Sequence, residues 1–500
     1  MEFLKMTHAA KSTRRLAVAL MLGCAVVAAP AQADTLREAL ASAYNTNPTL
    51  QAARANQRAT DENVVINKAQ GLPSVTATAS HVEFVYASPD DPASPERRFS
   101  IGPDLQVPLY TGGAIKNSVK ASKERVSAGQ ADLRGTESAI FSQVVAAYMD
   151  VLRNEALVSL SENQVEVLSV NVQATSDRFE IGDLTRTDVA QSQARLALAQ
   201  GDLRGARANL IRAREDYIEL VGTAPDDLQP PPPLPGLPDN VEQAVEVAIE
   251  NNPDLIAARD RADAAGYDSR VAGSGRLPTV GVFAGLDYTD YYGSLGGPLS
   301  SQFDQNSTAA SAGVSVSIPI FQGGLPAARQ RQAYARESAA LEQVVAAERG
   351  VISQVRAAWS AWQASLAIIE SSQSAVDAAA LSLEGVRAEN SIGNRTILDV
   401  LNAEQELLSS RVQLVTARRN AYVAGFSLLA AMGRAEARDL NLDTGGPLYD
   451  PQVNYDRVKG IIFDWQRDPE PQAVSTRTVD IPAPDATIEG ETESDDGLAN

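Results

Sequence analysis

The sequence predicts an α+β membrane protein built from two copies of one unit, each joining a pair of membrane strands to helices too long for a compact domain. Three observations carry this. "VPLYTGG", Val107 to Gly113, returns as "IPIFQGG", Ile318 to Gly324, 211 residues later. The segments leading into each copy alternate apolar with small or polar residues, at the period of two that a strand facing lipid on one side requires. Proline is absent between Pro108 and Pro225 and between Pro326 and Pro447, which permits two very long helical tracts.

The chain opens with Lys5, Lys11, Arg14 and Arg15, an apolar run from Leu16 to Val27, and Ala31-Gln32-Ala33. That is the layout of a cleaved signal peptide, residues 1–33, with the mature chain starting at Asp34. Arg14-Arg15 reads as the positive n-region, since the residues after it fit a twin-arginine signal poorly. Cys24, the single cysteine, follows Met21-Leu22-Gly23 as a lipoprotein acceptor would. The apolar run continues past it to a good Ala-x-Ala site, which favours removal with the signal peptide. The mature chain then has no thiol for disulfides or cysteine metal sites.

The repeat sets the domain organisation. Asn47-Pro48 matches Asn252-Pro253, each an Asn N-cap with Pro at the first helical position. Leu72-Pro73 matches Leu277-Pro278, Ile181-Gly182 matches Ile392-Gly393, and Asp188-Val189 matches Asp399-Val400. The offset grows from 205 to 211 between the paired strands of the second copy, where a loop tolerates insertion. Residues 34–224 form the first repeat, 225–240 a proline-rich linker, and 241–446 the second repeat. Residues 447–500, rich in Asp and Pro and ending "IEGETESDDGLAN", read as a solvated, largely disordered acidic tail.

Each repeat reads as helix, strand, loop, strand, very long helix, turn and second long helix. Val280, Val282, Ala284, Leu286 and Tyr288 alternate with Gly281, Gly285 and Asp287, Phe283 being the exception; Val314, Val316, Ile318 and Ile320 alternate with Ser315, Ser317 and Pro319. Pattern alone also fits a soluble, half-buried sheet. The tracts from Thr111 to about Phe179 and from Gln322 to about Glu389 would each make a helix roughly 100 Å long, and helices of that length must pack side by side. After the turns a heptad seam pairs a large row (Val400, Leu407, Leu414, Ala421, Leu428) with a small one (Ala403, Ser410, Ala417, Ala424, Ala431). Val189, Leu196, Leu203 and Leu210 repeat the large row. Gly182 and Gly393 read as C-caps, followed by the capping boxes Thr185-x-x-Asp188 and Thr396-x-x-Asp399.

Four strands cannot close a membrane barrel, whose smallest bacterial forms have eight, and an open sheet in lipid leaves its edges unsatisfied. Several chains must contribute; three would give twelve strands over a tube of helices. Pro108, Tyr110, Gly112 and Gly113, with Pro319, Phe321, Gly323 and Gly324, mark the strand-to-helix junctions. The aromatics are expected at the membrane interface, and the glycine pairs where the chain turns from strand to helix.

These residues, with "SIGNRTILDVLNAEQEL" at Ser391 to Leu407, resemble the TolC-type outer-membrane channel family over roughly Thr35 to Gly433. The resemblance implies a homotrimer: a twelve-stranded barrel in outer-membrane lipid, continued by an α-helical barrel in the periplasm. It implies partnership with a periplasmic adaptor (membrane fusion) protein and an inner-membrane ABC or proton-driven transporter. It places a periplasmic gate at the helix ends, with Arg395 at the linking arginine, Asp188 and Thr187 at its partners, and Asp399 on the constriction. Asn390 replaces a linking tyrosine and Asn402 a second ring aspartate, so a less acidic constriction is expected.

The function so implied is a passive exit duct, with the "TLREALASAYNTNPTL" opening most like channels of type I protein secretion; multidrug efflux is the alternative. A periplasmic structural coiled coil is the competitor of another class, although it leaves the strands and the duplication unexplained. Sixty-three acidic against 43 basic residues, a formal charge of −20, argue against nucleic acid as a partner. No nucleophile motif, phosphate loop or metal-ligand spacing is present, and His81 is the only histidine after the signal peptide. Neither enzyme activity nor a cofactor is expected.

Overall fold

The computed structural model describes residues 35–86, 95–443 and 447–483. The expected signal peptide with Cys24, and the last seventeen residues of the acidic tail, lie outside them. The first repeat runs α1 (Leu36–Thr46), α2 (Pro48–Ala69), β1 (Ser74–Glu83), β2 (Arg97–Thr111), α3 (Ala114–Glu180) and α4 (Arg186–Val221). The second runs α5 (Val241–Asn251), α6 (Pro253–Ser274), β3 (Thr279–Asp290), β4 (Asn306–Ser317), α7 (Leu325–Ser391) and α8 (Ile397–Ala431), and α9 (Pro451–Val458) follows. Both α3 and α7 have 67 residues, about 100 Å of helix at 1.5 Å per residue.

The strands form one antiparallel sheet in the order β1-β2-β3-β4. Its two hairpins share one register: Ser74 faces Gln106 in the first, and their repeat mates Thr279 and Ser317 face each other in the second. Residues opposite one another share a face, and here the faces differ sharply. One carries Val75, Ala79, Ile101, Leu105, Val282, Leu286, Tyr288 and Val314; the other carries Ser74, Thr76, Asp104, Gln106, Asp287, Ser311 and Ser315. Phe283, the exception in the alternation, lies on the polar face over Gly313, where an added Cβ would come within 2.8 Å of its ring.

Two features of the strands depart from expectation. β2 carries a bulge, since Pro108 faces Gly281 and Tyr110 faces Val280, with Leu109 extra. Proline has no N–H for the ladder, and the extra residue moves Tyr110 onto the apolar face. In the second repeat β4 stops at Ser317, so Ile318, Pro319, Ile320 and Phe321 lie outside it. β3 begins at Thr279, opposite Ser317, and the other side of β4 is a free edge. Among the described residues of one chain, these four have no strand to pair with.

The main core lies midway along the molecule, where α1, α3, α4, the linker and α8 meet around Phe141, Tyr148, Tyr217 and Phe426, all at most 1% exposed. The polyproline linker is a strap across this core: Tyr148 donates to the Gln229 carbonyl at 2.6 Å and Tyr422 to that of Pro232 at 3.2 Å. Within the segment expected as an acidic tail, the described residues 447–483 include one helix. Helix α9 packs along α2, with Asn454 donating to buried Asp61 at 2.6 Å and Arg457 forked onto Asp468. Composition misses this because Val458 is the only buried residue of α9.

Candidate functional site

No helix among the described residues is long and apolar enough to cross a membrane. The features that the sequence expected at a membrane are the two-faced sheet and its junctions with α3 and α7. Gly112 and Gly113 have φ of 63° and 85°, Gly323 and Gly324 of 59° and 80°, a backbone open to glycine and strained for other residues. Gly113 and Gly324 cap α3 and α7. The first junction is packed: a Cβ on Gly112 would lie 2.8 Å from the Leu277 Cβ and 3.0 Å from the Ser274 carbonyl oxygen. The second has nothing within 4 Å of such an atom on Gly323. Ile320 and Phe321 beside it are 95% and 88% exposed.

At the far ends of the long helices the two turns are near copies. Gly182 and Gly393 both take φ of 83°. The N–H of Asp183 donates to Arg178 O, and that of Asn394 to Glu389 O, each at 2.9 Å. These six-to-one bonds satisfy the last carbonyls of α3 and α7. Each following helix opens on a reciprocal capping box. Asp188 Oδ2 accepts from the Thr185 N–H at 2.9 Å and the Thr185 hydroxyl at 2.7 Å. Asp399 Oδ2 does the same with Thr396 at 3.0 and 2.8 Å. Those donors hold both carboxyls below the usual aspartate range, the threonine hydroxyl contributing most.

Arg395 is engaged within its own turn: Nε donates to Glu389 Oε2 at 2.7 Å, and its carbonyl accepts from Asn390 Nδ2 at 2.8 Å. In one chain, therefore, it meets neither Asp188 nor Thr187, which stands exposed in the first turn of α4. The other turn carries a different ion pair, Arg178 with Asp183. Sequence reading missed Glu389 and Arg178, whose pairs span a turn at no fixed helical spacing. It also missed Arg195, which donates to Asn402 at 2.9 Å and ties α4 to α8, and Leu401, which lies off the heptad rows yet is 2% exposed against Leu168 and Ala199. Among the described residues no cluster of His, Cys, Asp and Glu could hold a metal ion.

The architecture and its sequence match known proteins over most of the chain. The family model described as outer membrane efflux protein covers residues 28–223 and 244–434. The outer membrane efflux protein BepC of Brucella suis is 34% identical over 444 residues, 89% of this chain and 94% of that protein. The outer membrane protein TolC of Escherichia coli is 27% identical over 82% of this chain and 84% of its own. Among solved structures, the outer membrane protein VceC of Vibrio cholerae superposes with a TM-score of 0.68 at 23% identity, covering 80% of this chain and 96% of that one.

Proposed function

Since the chain belongs to the outer membrane efflux protein family, whose members are outer-membrane channels, we propose that it is the passive exit duct of a tripartite export system, assembled from three copies. The observation that carries this reading is the sheet: an apolar and a polar face, with two free edges, on a chain whose helices run about 100 Å away from it. Twelve strands from three chains would remove every edge and turn the apolar face to lipid and the polar face to a pore.

The repeat supplies the closing contact. Carrying the β2·β3 register over by the repeat offsets sets Ile318 opposite Ala77, Pro319 opposite Thr76 and Phe321 opposite Val75 of the next chain, with Leu109's mate Ile320 as the bulge. It sets Leu72 of that chain against Gly323, as Leu277 sits against Gly112. The segment that is unpaired in one chain would thus complete its strand on a neighbour, with Tyr110 and Phe321 at one level of the barrel wall.

A periplasmic adaptor and an inner-membrane pump would complete the system. The gate is assigned to the capped turns: Arg395, released from Glu389 or shared with it, meets Asp188 and Thr187 of a neighbouring chain, and Asp399 lines the opening. The Thr35–Leu50 opening favours type I protein secretion, while the word efflux in the name of the Brucella relative favours small molecules. Extraction from outer membranes as a detergent-dependent oligomer tests the duct, and a freely soluble monomer would reject it. A deletion strain assayed for both a lost secreted protein and raised drug sensitivity separates the cargo classes.

A further inference from the structure

We infer that the C-terminal segment dips an apolar tip, Ile461 to Trp465, into the periplasmic leaflet of the outer membrane, as an interfacial anchor at the foot of the sheet. This rests on the reading that the apolar face of the sheet meets lipid. The path of the segment carries the inference. It climbs α2 from start to end: the Tyr449 N–H donates to the Tyr44 hydroxyl at 2.8 Å, Asn454 donates to Asp61 at 2.6 Å, and the Lys459 carbonyl accepts from Lys68 Nζ at 3.2 Å. With 22 residues, α2 is about 33 Å long, and by Lys459 the segment has covered that length.

It then turns back. The Gln466 N–H donates to the Phe463 carbonyl at 3.2 Å, and the Arg457 guanidinium holds the two Asp468 oxygens at 2.8 and 2.9 Å. Thr476 is again at the start of α2, where a Cβ on Gly222 would lie 2.9 Å from its hydroxyl and 3.2 Å from that of Thr46. Polar contacts thus fasten both legs to the protein, and residues 459–467 form the apex between them.

That apex sits where the sheet begins. Lys68 is in the last turn of α2, just ahead of β1 at Ser74. Its neighbour Ala69 lines one cleft with Tyr110, so the apex lies near the level of the aromatic expected at the periplasmic interface. In an otherwise acidic tail, Ile461, Ile462, Phe463 and Trp465 are interrupted by Asp464 alone. Ile462, Phe463 and Trp465 are 61%, 74% and 85% exposed, and holding such side chains in water forgoes the stabilisation that burial gives. Aromatic side chains flanked by basic ones settle at the headgroup level of a bilayer. Lys459 and Arg467 bracket the apex in that way, placed to meet lipid phosphates while the rings lie beneath them.

The tryptophans of the chain are Trp359, Trp362 and Trp465, so Trp359→Phe with Trp362→Phe leaves the apex as the sole emitter. The full-length channel is reconstituted in vesicles of phosphatidylethanolamine and phosphatidylglycerol in which part of the lipid carries brominated acyl chains. The expected result is a blue-shifted Trp465 emission that bromolipid quenches, more strongly with bromines near the headgroup than near the chain end, and that aqueous acrylamide barely reaches. Should the double variant fail to assemble, the same quenching is read as the fraction lost on Trp465→Phe in the otherwise unchanged chain. Quenching by acrylamide with none by bromolipid puts the apex in water and overturns the inference. Protection from both quenchers places it against protein, a neighbouring chain included, and overturns it equally. A chain whose sole tryptophan comes from Leu286→Trp, on the apolar face of the sheet, separates the two readings. If bromolipid quenches that tryptophan but not Trp465, the sheet reading stands and the anchor fails; if it quenches neither, the sheet reading falls and takes the anchor with it.

Discussion

Asn252 and Ala431 join the start of one helix to the end of another through a single side chain. The Asn252 Oδ1 accepts from the N–H groups of Asp254 and Leu255 at 3.0 and 3.3 Å, while its Nδ2 donates to the Ala431 carbonyl at 2.9 Å. The first repeat has the same device: Asn47 caps α2 and donates to the Leu220 carbonyl at 3.0 Å. Each asparagine thus fixes where its short helix crosses the long-helix layer.

Asn252→Ala removes an N-cap worth about 1 kcal/mol and strands a buried carbonyl at about 1–3 kcal/mol. A loss of roughly 2–4 kcal/mol is expected, read as a lower denaturation midpoint. Asn252→Asp keeps the acceptor but not the donor and should fall between the two. Equal midpoints for Asp and Asn would show that the Ala431 bond contributes nothing.

Glu137 lies on α3 and accepts from the backbone N–H of Ala437. Burial, opposed by that hydrogen bond, pushes its pKa up to about 7. A carboxyl whose folded pKa is raised binds its proton more tightly when folded. Its contribution is fully present below the unfolded value near 4.5 and is lost as pH rises through about 7. Glu137→Gln should therefore flatten the stability profile over that window and stabilise the protein at pH 8 by on the order of 2–3 kcal/mol. Parallel profiles for the two chains would refute the assignment.

The two junction glycines differ in surroundings but not in φ. Gly112→Ala meets Leu277 and Ser274 and adds left-handed strain of about 1–2 kcal/mol. Gly323→Ala meets only the strain in a single chain. In the proposed barrel it would also meet the neighbour's Leu72, so both variants should lower the yield of oligomer on mild-detergent gels. A normal oligomer from Gly323→Ala, beside a depleted one from Gly112→Ala, would contradict the proposed contact.

Arg395→Ser removes the guanidinium that the Glu389 carboxylate holds in one chain and that the gate proposal gives to Asp188 of a neighbour. Reconstituted channels should then spend more time at high conductance. Glu389→Gln keeps the arginine and should not open them. Unchanged conductance in Arg395→Ser removes the gate assignment.

Periodicity and punctuation in the sequence determined the elements themselves. Pro-free tracts fixed the two 67-residue helices, Thr-x-x-Asp after Gly fixed the capped turns, and the offsets of 205 and 211 fixed a hairpin register that both repeats obey. Such features are local, set by backbone hydrogen bonding and φ within a few residues. Only the tertiary structure decided which elements meet. It bulged β2 at Leu109 and so turned Tyr110 to the apolar face, laid α9 on Asp61, and buried Leu401 against another helix pair. It also paired Arg395 with Glu389 inside its own turn. These contacts join residues whose spacing obeys no helical or strand period, and their partners are chosen by how the long helices pack.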